Sequence, residues 1–227
     1  MLSGKINLTS IDRAEAMRYL GMGGQMRPEE VMPELMDRCE RELLAVLDAK
    51  YVWQVFIYRE GVIENCAYQI EGEAAKKHLA GCERVILLCA TLSGGVDALL
   101  RRKRLTGMAE AMIIDAMASS AIETVLDRIE EEIFSLPEMD GNEHTWRFSP
   151  GYADLPLSGQ KAFLASVNAY RRIGVGCGDS FLMTPMKSVT CLIGLGHDLP
   201  QANRKTCALC SLDGRCRFRE RGEFCYR

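Results

Sequence analysis

The chain has 227 residues, 48% hydrophobic and 26% charged, ordinary proportions for a folded protein long enough to bury a sizeable core. Its 28 Lys and Arg against 31 Asp and Glu leave a net charge of −3, which offers no global case for nucleic-acid binding. The apolar run Val85-Ile86-Leu87-Leu88-Cys89-Ala90 is far short of the ~18 residues of a membrane span. Met1-Leu2-Ser3-Gly4-Lys5-Ile6-Asn7 lacks the apolar stretch of a secretion signal, so a cytoplasmic location is expected, with no membrane partner.

In chain order, residues 13–20 predict a short helix, opened by Ser10-Ile11-Asp12 and closed at Gly21-Met22-Gly23-Gly24. A longer helix is expected to begin between Pro28 and Pro33, with Val31, Leu35, Cys39, Leu43 and Leu47 as its buried stripe. Residues 51–58 and 62–70 predict two strands joined as a hairpin at Arg59-Glu60-Gly61. Residues 84–91 form an apolar run suited to a buried strand. After Ser93-Gly94-Gly95, residues 96–134 predict a long helical region broken near Gly107. Its core face is Ile114, Ala118, Ile122, Val125, Ile129 and Ile133. The small residues Ala116, Ala118, Ser119, Ser120 and Ala121 would let another backbone or a ligand come close.

Leu136-Pro137 and Asp140-Gly141-Asn142 predict an exit loop, residues 145–148 a short strand, and Pro150-Gly151 a turn. Ser158 predicts the N-cap of a helix reaching about Arg172, and residues 180–184 and 188–195 two further strands. The order of elements is not a regular βαβ alternation. The expected class is α+β, a mixed or antiparallel sheet packed with helices over residues 1–200, followed by a Cys-rich tail at 201–227.

Several motifs fall short of a function. Gly174-Val175-Gly176-Cys177-Gly178 lacks the sixth-position glycine of a dinucleotide loop, and Ser93-Gly94-Gly95 lacks the Gly-Lys-Ser ending of a phosphate cradle. Ser158-Gly159-Gln160-Lys161 has a Ser-x-x-Lys spacing without the Lys-Thr-Gly companion. His78, His144 and His197 are not at helical spacing to one another or to a Glu that would build a zincin site. What remains is Arg147-Phe148-Ser149-Pro150-Gly151-Tyr152. Here a guanidinium can offer its planar fork to a carboxylate, a glycine admits close approach to the backbone, and a tyrosine brings an aromatic face.

Arg147-x-x-x-Gly151-Tyr152 resembles the Arg-x-x-x-Gly-Tyr signature of the activation domain of cobalamin-dependent methionine synthase. Ala116-Met117-Ala118-Ser119-Ser120-Ala121-Ile122-Glu123 is similar to the helix of that family carrying a glutamate that binds S-adenosylmethionine. Residues 179–190, Asp-Ser-Phe-Leu-Met-Thr-Pro-Met-Lys-Ser-Val-Thr, are similar to its Glu-Ser-Phe-Ala-Met-Trp-Pro-Gly-Ala-Ser-Val-Ser segment. The resemblance spans roughly residues 85–197, with three blocks in order.

It implies that Arg147 holds the ligand carboxylate, that Glu123 and the backbone at Gly151 contribute to binding, and that Tyr152 lies near the reactive end as the catalytic residue. It also implies an N-terminal aspartate at the ligand, for which Asp12 is the candidate without a motif around it. No aromatic residue occurs in Asp198-Leu199-Pro200-Gln201-Ala202-Asn203, where the family has adenosine-side contacts. The Asp-x-His-x-x-Gly motif that ligates cobalamin is also missing. The implied role is therefore that of a stand-alone activation protein. It would use S-adenosylmethionine to remethylate cobalamin held by a corrinoid-binding methyltransferase, with an electron from a flavodoxin- or ferredoxin-type donor.

The chain has ten cysteines, and four of them, Cys207, Cys210, Cys216 and Cys225, crowd into its last 21 residues. Seven Lys and Arg against three Asp and Glu in residues 201–227 would offset the charge of metal-bound thiolates. Four cysteines suit either a [4Fe-4S] cluster or a tetrahedral zinc, and the spacing is neither a common ferredoxin run nor a paired zinc ribbon. The implied need for a low-potential electron favours iron–sulfur. The alternative is a non-catalytic module that senses S-adenosylmethionine and carries a structural zinc.

Overall fold

The computed structural model describes residues 1–21 and 32–199. The strand β4 (Arg84–Thr91) organises it. Its neighbours are β2 (Ala49–Arg59) on one side and β8 (Ser188–Gly196) on the other, with Leu88 opposite both Trp53 and Cys191. The edge strands β1 (Leu2–Ile6) and β5 (Glu143–His144) complete the order β1-β2-β4-β8-β5, and the short β3 (Val62–Ile63) pairs with β2. Every pairing is antiparallel. The expected α+β class is thus met by an antiparallel sheet.

Both faces of this sheet are covered, which explains why β4 is apolar without interruption. Ile86, Leu88 and Ala90 meet Trp53, Cys191 and Ile193 in a core closed by α1 (Arg13–Tyr19), α2 (Pro33–Val46), α4 (Gly94–Thr106) and α5 (Met108–Phe134). Val85, Leu87 and Cys89 point the other way, into a second core with Val52, Phe56 and Leu192. This core is closed by α3 (Glu73–His78), α6 (Gln160–Ser166) and α7 (Ala169–Ile173). Burying a Leu or Ile side chain contributes about 1.5–3 kcal/mol, so the central strand is the main apolar investment of the fold.

The predicted break near Gly107 is present. Its N–H closes α4 on the Lys103 carbonyl, and its own carbonyl accepts the Ala111 N–H that opens α5. Ile114, Ala118, Ile122, Val125, Ile129 and Ile133 are all buried, as their spacing predicts. Gly95 is a glycine for steric reasons, because a Cβ there would lie 2.5 Å from the Val46 carbonyl oxygen at the end of α2.

Other expectations are corrected. β1 was not expected; it is an edge strand whose residues are mostly exposed, with only Ile6 reaching the core, so apolar patterning does not mark it. The hairpin turn is Glu60-Gly61, both at positive φ, as a two-residue turn requires. Its second strand ends at Ile63 and not at Ile70: the Glu64 N–H still bonds the Ile57 carbonyl, but Asn65 adopts a left-handed φ of +53° that turns the chain away, and the Gln69 amide takes the outward N–H and carbonyl of Ile63. Ser158 caps nothing. It lies in a 3-10 turn (Leu157–Gly159), and the predicted helix is split into α6 and α7 by Asn168 in a left-handed conformation. The strand expected at 180–184 shrinks to β7 (Met183–Thr184), paired with β6 (Gly176–Cys177). Residues 145–148 touch β8 through the Thr145 and Phe148 N–H groups without forming a continuous strand. Val31, Pro28 and the tail cysteines Cys207, Cys210, Cys216 and Cys225 lie outside the described residues.

Candidate functional site

α5 carries Glu123, Asp127 and Glu130 at i, i+4 and i+7, the spacing that puts three side chains on one helix face. Opposite them runs the segment from β5 along β8. Its extended backbone sends Trp146 and Phe148 toward the second core and Arg147 toward α5. The Arg147 guanidinium meets all three carboxylates. One terminal nitrogen donates to Asp127 Oδ1 at 2.8 Å and, more loosely, to Glu123 Oε2 at 3.3 Å; the other lies 3.3 Å from Glu130 Oε1. Among the described residues, that second nitrogen, Nη1, and Glu130 Oε1 are buried without a hydrogen-bond partner.

Burial disfavours the charge on Arg147, but Glu130 and the other acidic neighbours outweigh it and raise its pKa. Glu130 is raised by its burial, which outweighs the attraction of Arg147. The two cluster residues named by the sequence, Glu123 and Arg147, are therefore together. Glu123 is the looser member, its side chain 44% exposed. Tyr19 of α1 shares this neighbourhood: burial first and Glu123 second raise its hydroxyl pKa.

Gly151 lies in the turn that follows. Its φ is +91°, its N–H bonds the Leu155 carbonyl at 2.8 Å, and a Cβ would lie 3.2 Å from Leu157 Cδ2. A glycine is required there for its backbone conformation as well as for space. Tyr152 sits edge-on to Trp146 and Phe148, at centroid distances of 5.6 and 5.2 Å, so its ring belongs to an aromatic group on the other side of the strand from the Arg147 guanidinium. His78 at the end of α3 completes that group. Its Nε2–H donates to the Trp146 carbonyl at 2.8 Å, and its ring lies 4.6 Å from Trp146 and 4.9 Å from Phe148. The residues flanking Arg147 are thus anchored from the second core.

Asp12 caps α1, its carboxylate accepting the Glu15 N–H at 3.0 Å, while its carbonyl accepts the Ser120 hydroxyl at 2.9 Å. The small residues of α5 accordingly admit another backbone, that of α1, three residues from Glu123. Ser119 faces a different partner. The Lys187 ammonium donates to Ser119 Oγ at 2.8 Å and to the Asp115 carbonyl at 3.1 Å, and lies 3.1 Å from Asp115 Oδ1. Asp127, Glu130 and Lys187 were not singled out by sequence. The first two could have been found by extending the helical spacing from Glu123; Lys187 stands where the quoted family segment has Ala. Among the described residues, no group of three or more His, Cys, Asp or Glu is arranged to hold a metal ion, and no helix is long and apolar enough to cross a membrane.

No family profile and no curated protein matches the sequence. The three-dimensional structure does have solved counterparts. One is a crystal structure of the MetH reactivation domain bound to AdoHcy, which matches with a TM-score of 0.68 at 15% sequence identity, over 88% of this chain and 79% of that one. The chain therefore has the α+β fold of that reactivation domain, as the three sequence blocks imply.

Proposed function

We propose that this protein binds S-adenosylmethionine at the α5–Arg147 cluster and serves the reductive reactivation of a cobalamin-dependent methyltransferase. The observation that carries the reading is Arg147 held against Glu123 on α5, within the fold of a domain solved with AdoHcy. The amino-acid end of the ligand is a zwitterion. Its carboxylate would replace Glu123 on the guanidinium, and its ammonium would replace Arg147 on Glu123, so one loose ion pair becomes two charge-assisted contacts. Gly151, whose N–H is already held by the Leu155 carbonyl, would offer the ligand its carbonyl oxygen, and a role for Tyr152 at the methyl end rests on the resemblance alone, since its ring packs on Trp146 and Phe148 away from the guanidinium.

The chemistry belongs to the substrates: a Co(II) corrinoid on the partner takes one external electron, and the resulting Co(I) accepts the methyl, leaving the S–C electron pair on the sulfur of AdoHcy. The chain's own residues bind the methyl donor and hold its orientation. The donor set of Cys207, Cys210, Cys216 and Cys225 suits a [4Fe-4S] cluster or zinc; the former would supply one-electron transfer.

Calorimetric titration with S-adenosylmethionine is expected to show binding that Arg147→Ala abolishes. Equal binding by the variant would remove the proposed clamp. Incubation with reductant, S-adenosylmethionine and a Co(II) corrinoid protein should give the absorption spectrum of methyl-Co(III). Binding without conversion by any corrinoid partner, in a colourless protein containing zinc, would favour the sensing module instead.

A further inference from the structure

We infer that Asp127 and Glu130 make this site selective for a sulfonium over a neutral thioether, and so for S-adenosylmethionine over S-adenosylhomocysteine. The inference rests on the proposed reading of Arg147 and Glu123 as the clamp for the amino-acid end. Three carboxylates meet one guanidinium, so the cluster carries surplus negative charge. A bound zwitterion leaves that surplus unchanged, because it adds one positive and one negative charge. Among the described residues, the Lys187 ammonium on this face of α5 is matched by Asp115 and does not cancel it.

The one further charge on the ligand is the sulfonium, a short way along the same chain from the ammonium. It is present in the methyl donor and absent from the demethylated product. Asp127 and Glu130 hold Arg147 from the C-terminal side of α5, one and two turns beyond Glu123, so the ligand exchange leaves them in place to act on the sulfonium through space. Their side chains differ in exposure, 65% for Asp127 and 25% for Glu130, so water screens the second less.

The test is a comparison of two affinities on one protein. Dissociation constants for S-adenosylmethionine and S-adenosylhomocysteine are measured by calorimetry on the full chain, for the parent, Asp127→Asn and Glu130→Gln. The parent is expected to prefer S-adenosylmethionine. Each variant should reduce that preference by about threefold, the order expected for one charge acting across a partly solvated gap, with Glu130→Gln the larger change. The preference should also shrink as salt is raised from ~0.05 to ~0.5 M.

A purely structural role would weaken both ligands together and leave their ratio unchanged, because both share the carboxylate and the ammonium. A ratio unchanged in both variants overturns the inference while leaving the clamp intact. A parent that binds neither ligand overturns the clamp as well.

Discussion

Lowering the pH from 7.5 to 5 is expected to remove about 2 kcal/mol of stability through His78 alone. The imidazole is buried between α3 and the segment that carries Arg147, and burial pulls its pKa from 6.5 down to about 4, with the bond to the Trp146 carbonyl opposing the shift. The native state therefore holds the neutral form after the unfolded chain has begun to take up a proton. Above pH 6.5 the ring is neutral in both states and its contribution is fully present. As the pH falls from 6.5 toward 4 the unfolded state gains the proton first, and stability is lost. Below about 4 the loss levels off near 3 kcal/mol, the full separation of the two pKa values at 1.36 kcal/mol per unit.

Urea denaturation followed by tryptophan fluorescence at pH 7.5 and 5 measures this directly, and Trp146 lies against the titrating ring. His78→Gln keeps an amide N–H for the Trp146 carbonyl but does not titrate, so it isolates His78 from the carboxylates that also respond to acid. The parent should lose about 2 kcal/mol more than the variant over this interval. Parallel losses, equal within about 0.5 kcal/mol, would refute the reasoning. The site is tied to the same event, because His78 anchors the residues on either side of Arg147. S-Adenosylmethionine binding should accordingly weaken over the same range in the parent and less so in His78→Gln.

Gly151→Ala places a side chain at φ +91° and 3.2 Å from Leu157, and should cost about 1–3 kcal/mol in thermal or urea melts. Gly141→Ala has a comparable φ of +72° with nothing within 4 Å, so it should cost less, and the difference measures the Leu157 contact. Asp12→Ala removes a helix cap and should destabilise by about 1 kcal/mol. Ser158→Ala, at a position that makes no cap, should change stability by less than about 0.5 kcal/mol.

What could be read in advance follows the range of the interactions. β4 and the core face of α5 are legible because burial on both sides of a strand, or along one side of a helix, writes a periodic signal into neighbouring residues. The Glu60-Gly61 turn is legible for the same reason: two adjacent residues carry its geometry. The losses occur where a partner lies elsewhere in the chain. β1 is an edge strand defined by pairing rather than burial, and β3 stops where Asn65 turns left-handed and the side chain of Gln69 folds back on Ile63. α6 and α7 part at Asn168, a residue type that tolerates the left-handed conformation without announcing it.

The candidate site divides along the same line. Glu123, Asp127 and Glu130 form a stripe that helical spacing alone predicts, but an acidic stripe on a helix is ordinarily a solvated face. Its meaning comes from Arg147, which reaches α5 only because residues 145–148 return along β8 and are pinned there by Thr145, Phe148 and His78. The register of residues 145–148 on β8 thus has a chemical consequence. In an extended segment a slip of one residue would turn Arg147 into the second core and bring Trp146 or Phe148 against three carboxylates, losing the guanidinium that neutralises them. The burial of Phe148 and the charge pairing of Arg147 reinforce one register, so the apolar packing that stabilises the fold also aims the guanidinium.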